Sequence, residues 1–192
     1  MVRYSRAFLA AVSITAVLAQ TPQLRREPDV PYVPTTEEAV DAMLKLARVS
    51  KADTVYDLGC GDGRIVIAAA KAYGAHGVGI DINPECIKEA RENAKKAGVE
   101  NLVKFEEQDL FEADIHPATV VTLFLLSSVN MKLRPKLLSD LKPGTRVVSN
   151  TFDMGDWKPE KELTLDDPTG NHGYLSHRLF LWTIPPQSGT RP

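Results

Sequence analysis

This chain of 192 residues reads as an α/β protein with a Rossmann-like, doubly wound, seven-stranded sheet, mostly parallel and closed by a C-terminal antiparallel hairpin. Three observations predict that class. Short apolar, β-favouring runs alternate with helix-forming stretches from residue 54 onward. Gly59, Gly61 and Gly63 close the first such run just before a helix. The last two β-favouring runs are joined by a loop containing Pro168, Gly170 and Gly173, which folds them back on each other.

The elements follow in order. Thr35 and Thr36 before Glu37 and Glu38 mark a helix start, with Val40, Met43, Leu44, Leu46 and Ala47 as its apolar face. Residues 54–58 form a strand, and 64–73, with Ala68, Ala69, Ala70 and Ala72, a helix. A second strand over 77–81 leads to a helix over 84–97, opened by Pro84 and ended by Gly98. A third strand covers 102–106. Residues 119–126 are almost wholly apolar, as a central strand covered on both faces requires, and 146–152 make the next strand. Residues 162–165 and 178–184 form the hairpin.

Composition limits the function. The formal net charge of −2 and pI of about 6.1 give no basic field for a nucleic-acid partner. Lys88, Arg91, Lys95 and Lys96 alternate with Glu89 and Glu92, as on a solvated helix face. Cys60 and Cys86 lie in no CxxC pair, so free thiols are expected, with neither a disulfide framework nor a metal site. His172 and His177 read as solvated loop residues without chemistry.

The chemistry lies in Asp57-Leu58-Gly59-Cys60-Gly61-Asp62-Gly63-Arg64. Glycines at a strand end let a ligand approach the backbone, and the following helix N-terminus offers N–H groups to a carboxylate or phosphate. A dinucleotide fingerprint needs glycine where Arg64 stands, so the NAD reading fails there. Asp57 suits a ligand with an ammonium group beside its carboxylate, which S-adenosylmethionine has. Asp81 ends the second strand, where a carboxylate accepts from both ribose hydroxyls. Asp109 follows the third strand, within reach of an adenine amino group, with Leu110 and Phe111 flanking the ring.

With these motifs, residues 33–184 resemble the class I S-adenosylmethionine-dependent methyltransferase superfamily. The resemblance implies that Asp57, Gly59, Gly61 and Gly63 hold the methionine part, Asp81 the ribose, and Asp109 and Leu110 the adenine. Pro31-Tyr32-Val33-Pro34-Thr35, the run from Tyr56 to Ala70, and Val121-Thr122-Leu123-Phe124-Leu125-Leu126 are similar to a narrower group. That group is the small lysine N-methyltransferases related to those acting on the ATP synthase c-subunit and the adenine nucleotide translocase. Methyltransferases for nucleobases or amides commonly carry Asn/Asp-Pro-Pro-aromatic after the fourth strand. Leu126-Ser127-Ser128-Val129 stands there instead, which disfavours a planar acceptor.

The leading expectation is methyl transfer to a protein lysine, on a partner expected to be membrane-embedded if the enzyme works beside a membrane. The alternatives are a small-molecule O- or N-methyltransferase and a non-catalytic S-adenosylmethionine-binding module. Substrate-side candidates are Tyr32, Thr35, Asp153, Asp156 and Trp157, and no catalytic base is assigned among them. Outside the domain, Arg3 and Arg6 precede an uncharged run over 7–19 that ends Val17-Leu18-Ala19, as a signal peptide does. The run is shorter than the roughly 20 residues of a membrane span. The cofactor is intracellular, so the expectation is a membrane tether through 7–19 with the domain on the cofactor-containing side, or else export after cleavage near Ala19. Residues 20–34, with Pro22, Pro28, Pro31 and Pro34, read as an extended linker, 35–184 as the domain and 185–192 as a tail.

Overall fold

The expected alternation of strands and helices closes into one sheet. The computed structural model describes residues 33–165 and 178–186. In chain order the elements are α1 (Glu37–Leu46), β1 (Thr54–Leu58), α2 (Arg64–Tyr73), β2 (His76–Asp81), α3 (Pro84–Ala97), β3 (Val103–Glu107), β4 (Val120–Leu123), α4 (Ser127–Asp140), β5 (Arg146–Asn150), β6 (Lys161–Thr164) and β7 (Arg178–Thr183). The seven strands are ordered β3-β2-β1-β4-β5-β7-β6. β1 to β5 are mutually parallel, and β7 runs antiparallel to both β5 and β6.

From β1 the chain winds outward through β2 and β3, then returns to place β4 and β5 on the other side. This reversal opens a crevice at the carboxyl ends of β1 and β4. Strand periodicity sorts the core into two layers. Val55, Val120 and Val148 face the helices α1, α2 and α3, while Leu58, Val121, Leu123, Val147 and Trp182 face α4. At the amino end of the sheet the buried Asp53 pairs with Arg146 and accepts from Thr119 Oγ1 at 2.8 Å. Arg146 also donates to the Ala47 carbonyl at 2.6 Å, fastening the end of α1 to β5.

Two strand ends fall short of expectation. β4 stops at Leu123, because residues 124–126 leave the sheet and enter α4. β5 stops at Asn150, because Thr151 adopts φ 67° and turns the chain aside. Helix α4 was not expected from the sequence, since its serines, Asn130 and an internal Pro135 mask the pattern. Tertiary packing overrides that composition through Val129, Leu133 and Leu137, four residues apart and all buried against the sheet.

The expected membrane location is corrected. Among the described residues no helix is long and apolar enough to cross a membrane. The run over 7–19 lies outside the described residues, and nothing described supports a tether or a signal peptide there. Tyr32, His172 and His177 also lie outside the described residues.

Candidate active site

Gly59, Gly61 and Gly63 adopt φ of 86°, 51° and 79°, which glycine alone takes without strain. The Gly59 and Cys60 N–H groups donate to the Ile80 carbonyl at 2.8 and 2.9 Å, stitching the loop to β2. Side chains have no room here. A Cβ on Gly63 would lie 2.5 Å from the Phe105 ring, and one on Gly59 3.0 Å from Leu125 Cδ2. Gly63 begins α2 without a side-chain cap, so the positive end of the helix dipole faces the crevice.

Three carboxylates stand at or just past the ends of β1, β2 and β3. Asp57 is buried and accepts from Thr122 Oγ1 at 2.8 Å on the neighbouring strand. Burial pushes its carboxyl up to about 7; the Thr122 bond opposes this, and the charges of Asp81 and Asp62 add to it. Asp57 is in no ion pair among the described residues. Asp81 is half-buried and accepts from Gly61 N–H at 2.9 Å with Oδ2 and from Asn83 N–H at 2.9 Å with Oδ1. One carboxylate therefore shapes both the glycine loop and the turn into α3. Asp109 accepts from Phe111 N–H at 3.0 Å, and Gln108 N–H donates to the Asp81 carbonyl at 2.9 Å, which ties the end of β3 to β2. Leu110 and Phe111 are partly buried against the α4 layer.

Sequence reasoning missed Thr122 and Arg64, although each left a signal. Thr122 is the polar residue in an apolar run, and a buried hydroxyl demands a partner. Arg64 puts a positive charge on the first turn of α2, against the dipole. Its guanidinium is held by Asp62, with Nη2 to Oδ2 at 2.6 Å and Nε to Oδ1 at 3.0 Å, and Nη1 donates to the Thr35 carbonyl at 2.6 Å. Arg64 thus fastens the segment before α1 to the glycine loop. Burial pushes the Cys60 thiol well up, away from the reactive thiolate.

The substrate-side candidates divide. Thr35 is buried beside the glycine loop. Asp153 is exposed just past β5, where its carboxylate accepts from Gly155 N–H at 3.1 Å. Asp156 is exposed and pairs with Arg134. Trp157 is half-buried and packs on Trp182 with centroids 5.8 Å apart, and Trp182 Nε1 donates to its carbonyl at 2.8 Å, so it rests against the edge of the α4 layer.

Comparison with known proteins agrees with this geometry. The model of the ANTKMT methyltransferase domain family matches residues 57–161. The chain is 49% identical to a protein-lysine N-methyltransferase of Saccharolobus islandicus (strain REY15A), over 82% of this chain and 95% of that protein. It is 37% identical to the adenine nucleotide translocase lysine N-methyltransferase of Mus musculus, over 79% of this chain but 66% of that protein. The crystal structure of an RNA methyltransferase from Salinibacter ruber with S-adenosyl-L-homocysteine superposes with TM-score 0.74 at 54% identity, covering 83% of this chain and 98% of that one. The chain belongs to the ANTKMT methyltransferase domain family and is an S-adenosylmethionine-dependent enzyme.

Proposed function

We propose that the enzyme transfers a methyl group from S-adenosylmethionine to the ε-amine of a lysine on a protein. The observation that carries this reading is the exit of β4. Phe124-Leu125-Leu126 runs directly into α4 at Ser127, so the crevice wall beside the glycine loop is apolar. A planar base or amide would need donors and acceptors there, whereas a lysine stem needs an apolar wall. The lysine-specific names of the two relatives support the same choice.

The residues fit the cofactor. Asp57, a buried carboxylate in no ion pair among the described residues, would receive the methionine ammonium, and Gly59, Gly61 and Gly63, all at positive φ, would bring their backbone up to the methionine chain. Asp81 keeps acceptor capacity on both oxygens for the ribose hydroxyls, and Asp109 and Leu110 would border the adenine. When bound, S-adenosylmethionine supplies a methyl already activated by the sulfonium. The chain's contribution is to orient and to exclude water. A lysine ammonium has no lone pair, and its ordinary pKa is about 10.4, so it must give up a proton before the amine can accept the methyl.

The test is transfer of tritiated methyl from S-adenosylmethionine to protein and to RNA, each extracted from cells lacking the gene. Methyl-lysine in the acid hydrolysate of the protein is the expected result. Label in RNA with none in lysine overturns the proposal.

A further inference from the structure

We infer that Phe124 and Phe152 form the acceptor wall of the site, an aromatic pair that guides the alkyl stem of the incoming lysine and holds its cationic head. The inference rests on the lysine reading above and adds residues that reading does not assign. Phe124 directly follows β4, and Phe152 follows β5 by two residues. Both rings are half-buried, and they stack with centroids 6.1 Å apart and planes 29° from parallel.

Their position suits an acceptor. Asp81 and Asp109 lie on the β2 and β3 flank of the glycine loop, which leaves the β4 and β5 flank for the methyl acceptor. Leu125, next to Phe124, lies against Gly59 so closely that a Cβ there would meet its Cδ2 at 3.0 Å. Phe124 is thus one residue along the chain from the side chain that packs on the cofactor loop.

The fold also accepts strain and desolvation to fix Phe152. Thr151 is β-branched yet sits at φ 67°, a left-handed conformation that such residues rarely adopt. This turn reverses the chain after β5, with Phe152 N–H donating to the Asn150 carbonyl at 2.8 Å. The Phe152 carbonyl accepts from Ser149 Oγ at 2.6 Å and from Asn130 Nδ2 at 3.2 Å. Asn130 Nδ2 also reaches Ser149 Oγ and the Asp153 carbonyl, each at 3.2 Å, which fixes the orientation of its amide. Among the described residues, Asn130 Oδ1 is left buried without a partner. A surface phenylalanine needs none of this bracing, whereas a ring that must meet a substrate side chain does.

The experiment compares wild type, Phe152→Leu, Phe152→Tyr and Phe124→Leu, using tritiated S-adenosylmethionine and graded amounts of protein from cells lacking the gene. Leucine keeps an apolar wall but has no ring quadrupole, whereas tyrosine keeps the ring. Phe152→Leu and Phe124→Leu should raise the half-saturating acceptor concentration about two- to thirtyfold. Affinity for S-adenosylmethionine, measured by calorimetry, should stay at the wild-type value, which also confirms that the variants fold. Phe152→Tyr should restore the wild-type half-saturation. The inference is overturned if the leucine variants saturate as wild type does, or if they lose cofactor affinity in parallel. Wild type that labels no lysine at all fails the lysine reading instead, and the inference falls with it.

Discussion

Replacing Asp57 by asparagine should make the cofactor-free protein more stable and the enzyme a weaker binder. Asp57 is buried and its carboxyl is pushed up to about 7. Moving a carboxyl from the ordinary 3.8 to about 7 costs about 4 kcal/mol once it is ionised, an upper value because the surroundings relax. The folded chain binds this proton more tightly than the unfolded chain. Stability from this group is therefore greatest below about pH 4 and falls as pH rises to about 7. Asparagine keeps the shape and can still accept from Thr122 Oγ1, but it never ionises. Asp57→Asn should exceed wild type at pH 8 by up to about 4 kcal/mol, with the gap closing toward pH 4.

Binding should move the other way. A charge-assisted hydrogen bond contributes about 1.5–3 kcal/mol, so Asp57→Asn should lose roughly ten- to a hundredfold in S-adenosylmethionine affinity at pH 8. Wild-type affinity should also fall as pH drops below about 7, where the carboxylate must first give up a proton. Denaturant melts at pH 5 and pH 8, with calorimetric titration at the same values, read both effects. An asparagine variant that binds as well as wild type at pH 8, or whose stability advantage over wild type is no larger at pH 8 than at pH 5, refutes the reasoning.

Other outcomes follow from the same contacts. Arg64→Met removes the tie between Asp62 and the Thr35 carbonyl, so hydrogen exchange at Ala39 and Val40 should quicken and stability should drop by about 1–2 kcal/mol. Gly63→Ala combines left-handed strain with a 2.5 Å clash against Phe105 and should lose about 2–4 kcal/mol in a thermal melt. Gly98→Ala, at φ 69° with nothing within 4 Å of the new Cβ, should lose only about 1–2 kcal/mol. Burial would raise the Asp53 carboxyl, but hydrogen bonds from Thr119 and Ser50 and the charge of Arg146 outweigh it and hold it low. Its stabilisation is therefore present above the ordinary carboxylate value and is lost as pH falls through the lowered one. Asp53→Asn should lose about 2–3 kcal/mol at pH 7, less than a fully buried pair because Arg146 keeps some solvent contact, and the loss should shrink in acid.

The parts legible in the sequence are those where local chemistry and tertiary packing agree. Helix α2 and helix α3 begin and end where expected, because Gly63, Pro84, Gly74 and Gly98 punctuate them. The glycine loop and the carboxylates after β1, β2 and β3 were legible because close approach and strand ends leave spacing signals. Helix α4 was hidden because its apolar residues are sparse and Pro135 argues against a helix. The acceptor side left fewer signals. Composition offers Trp157 as a substrate-side candidate, and the sequence does not announce that it leans on Trp182. Phe152 ends a run that reads as strand, and nothing local announces the left-handed Thr151 that turns it back toward Phe124.

A lysine-named relative at 49% identity and an RNA-named structure at 54% pose a choice that identity cannot make. Phe124 and Phe152 do not make it alone, because a ring can stack on a base as well as lie along a lysine stem. The surroundings of the pair separate the two. A base flipped into a pocket is read by hydrogen bonds on its edges, and the neighbours here on β4's exit are Leu125 and Leu126. An RNA also brings phosphates that need cations, and the chain carries a net charge of −2. Its run of Lys88, Arg91, Lys95 and Lys96 lies on α3, which packs against β2 and β3, away from the acceptor flank. Salt separates the readings further: an RNA acceptor loses affinity in proportion to the phosphates neutralised, whereas a lysine held by an aromatic wall responds weakly.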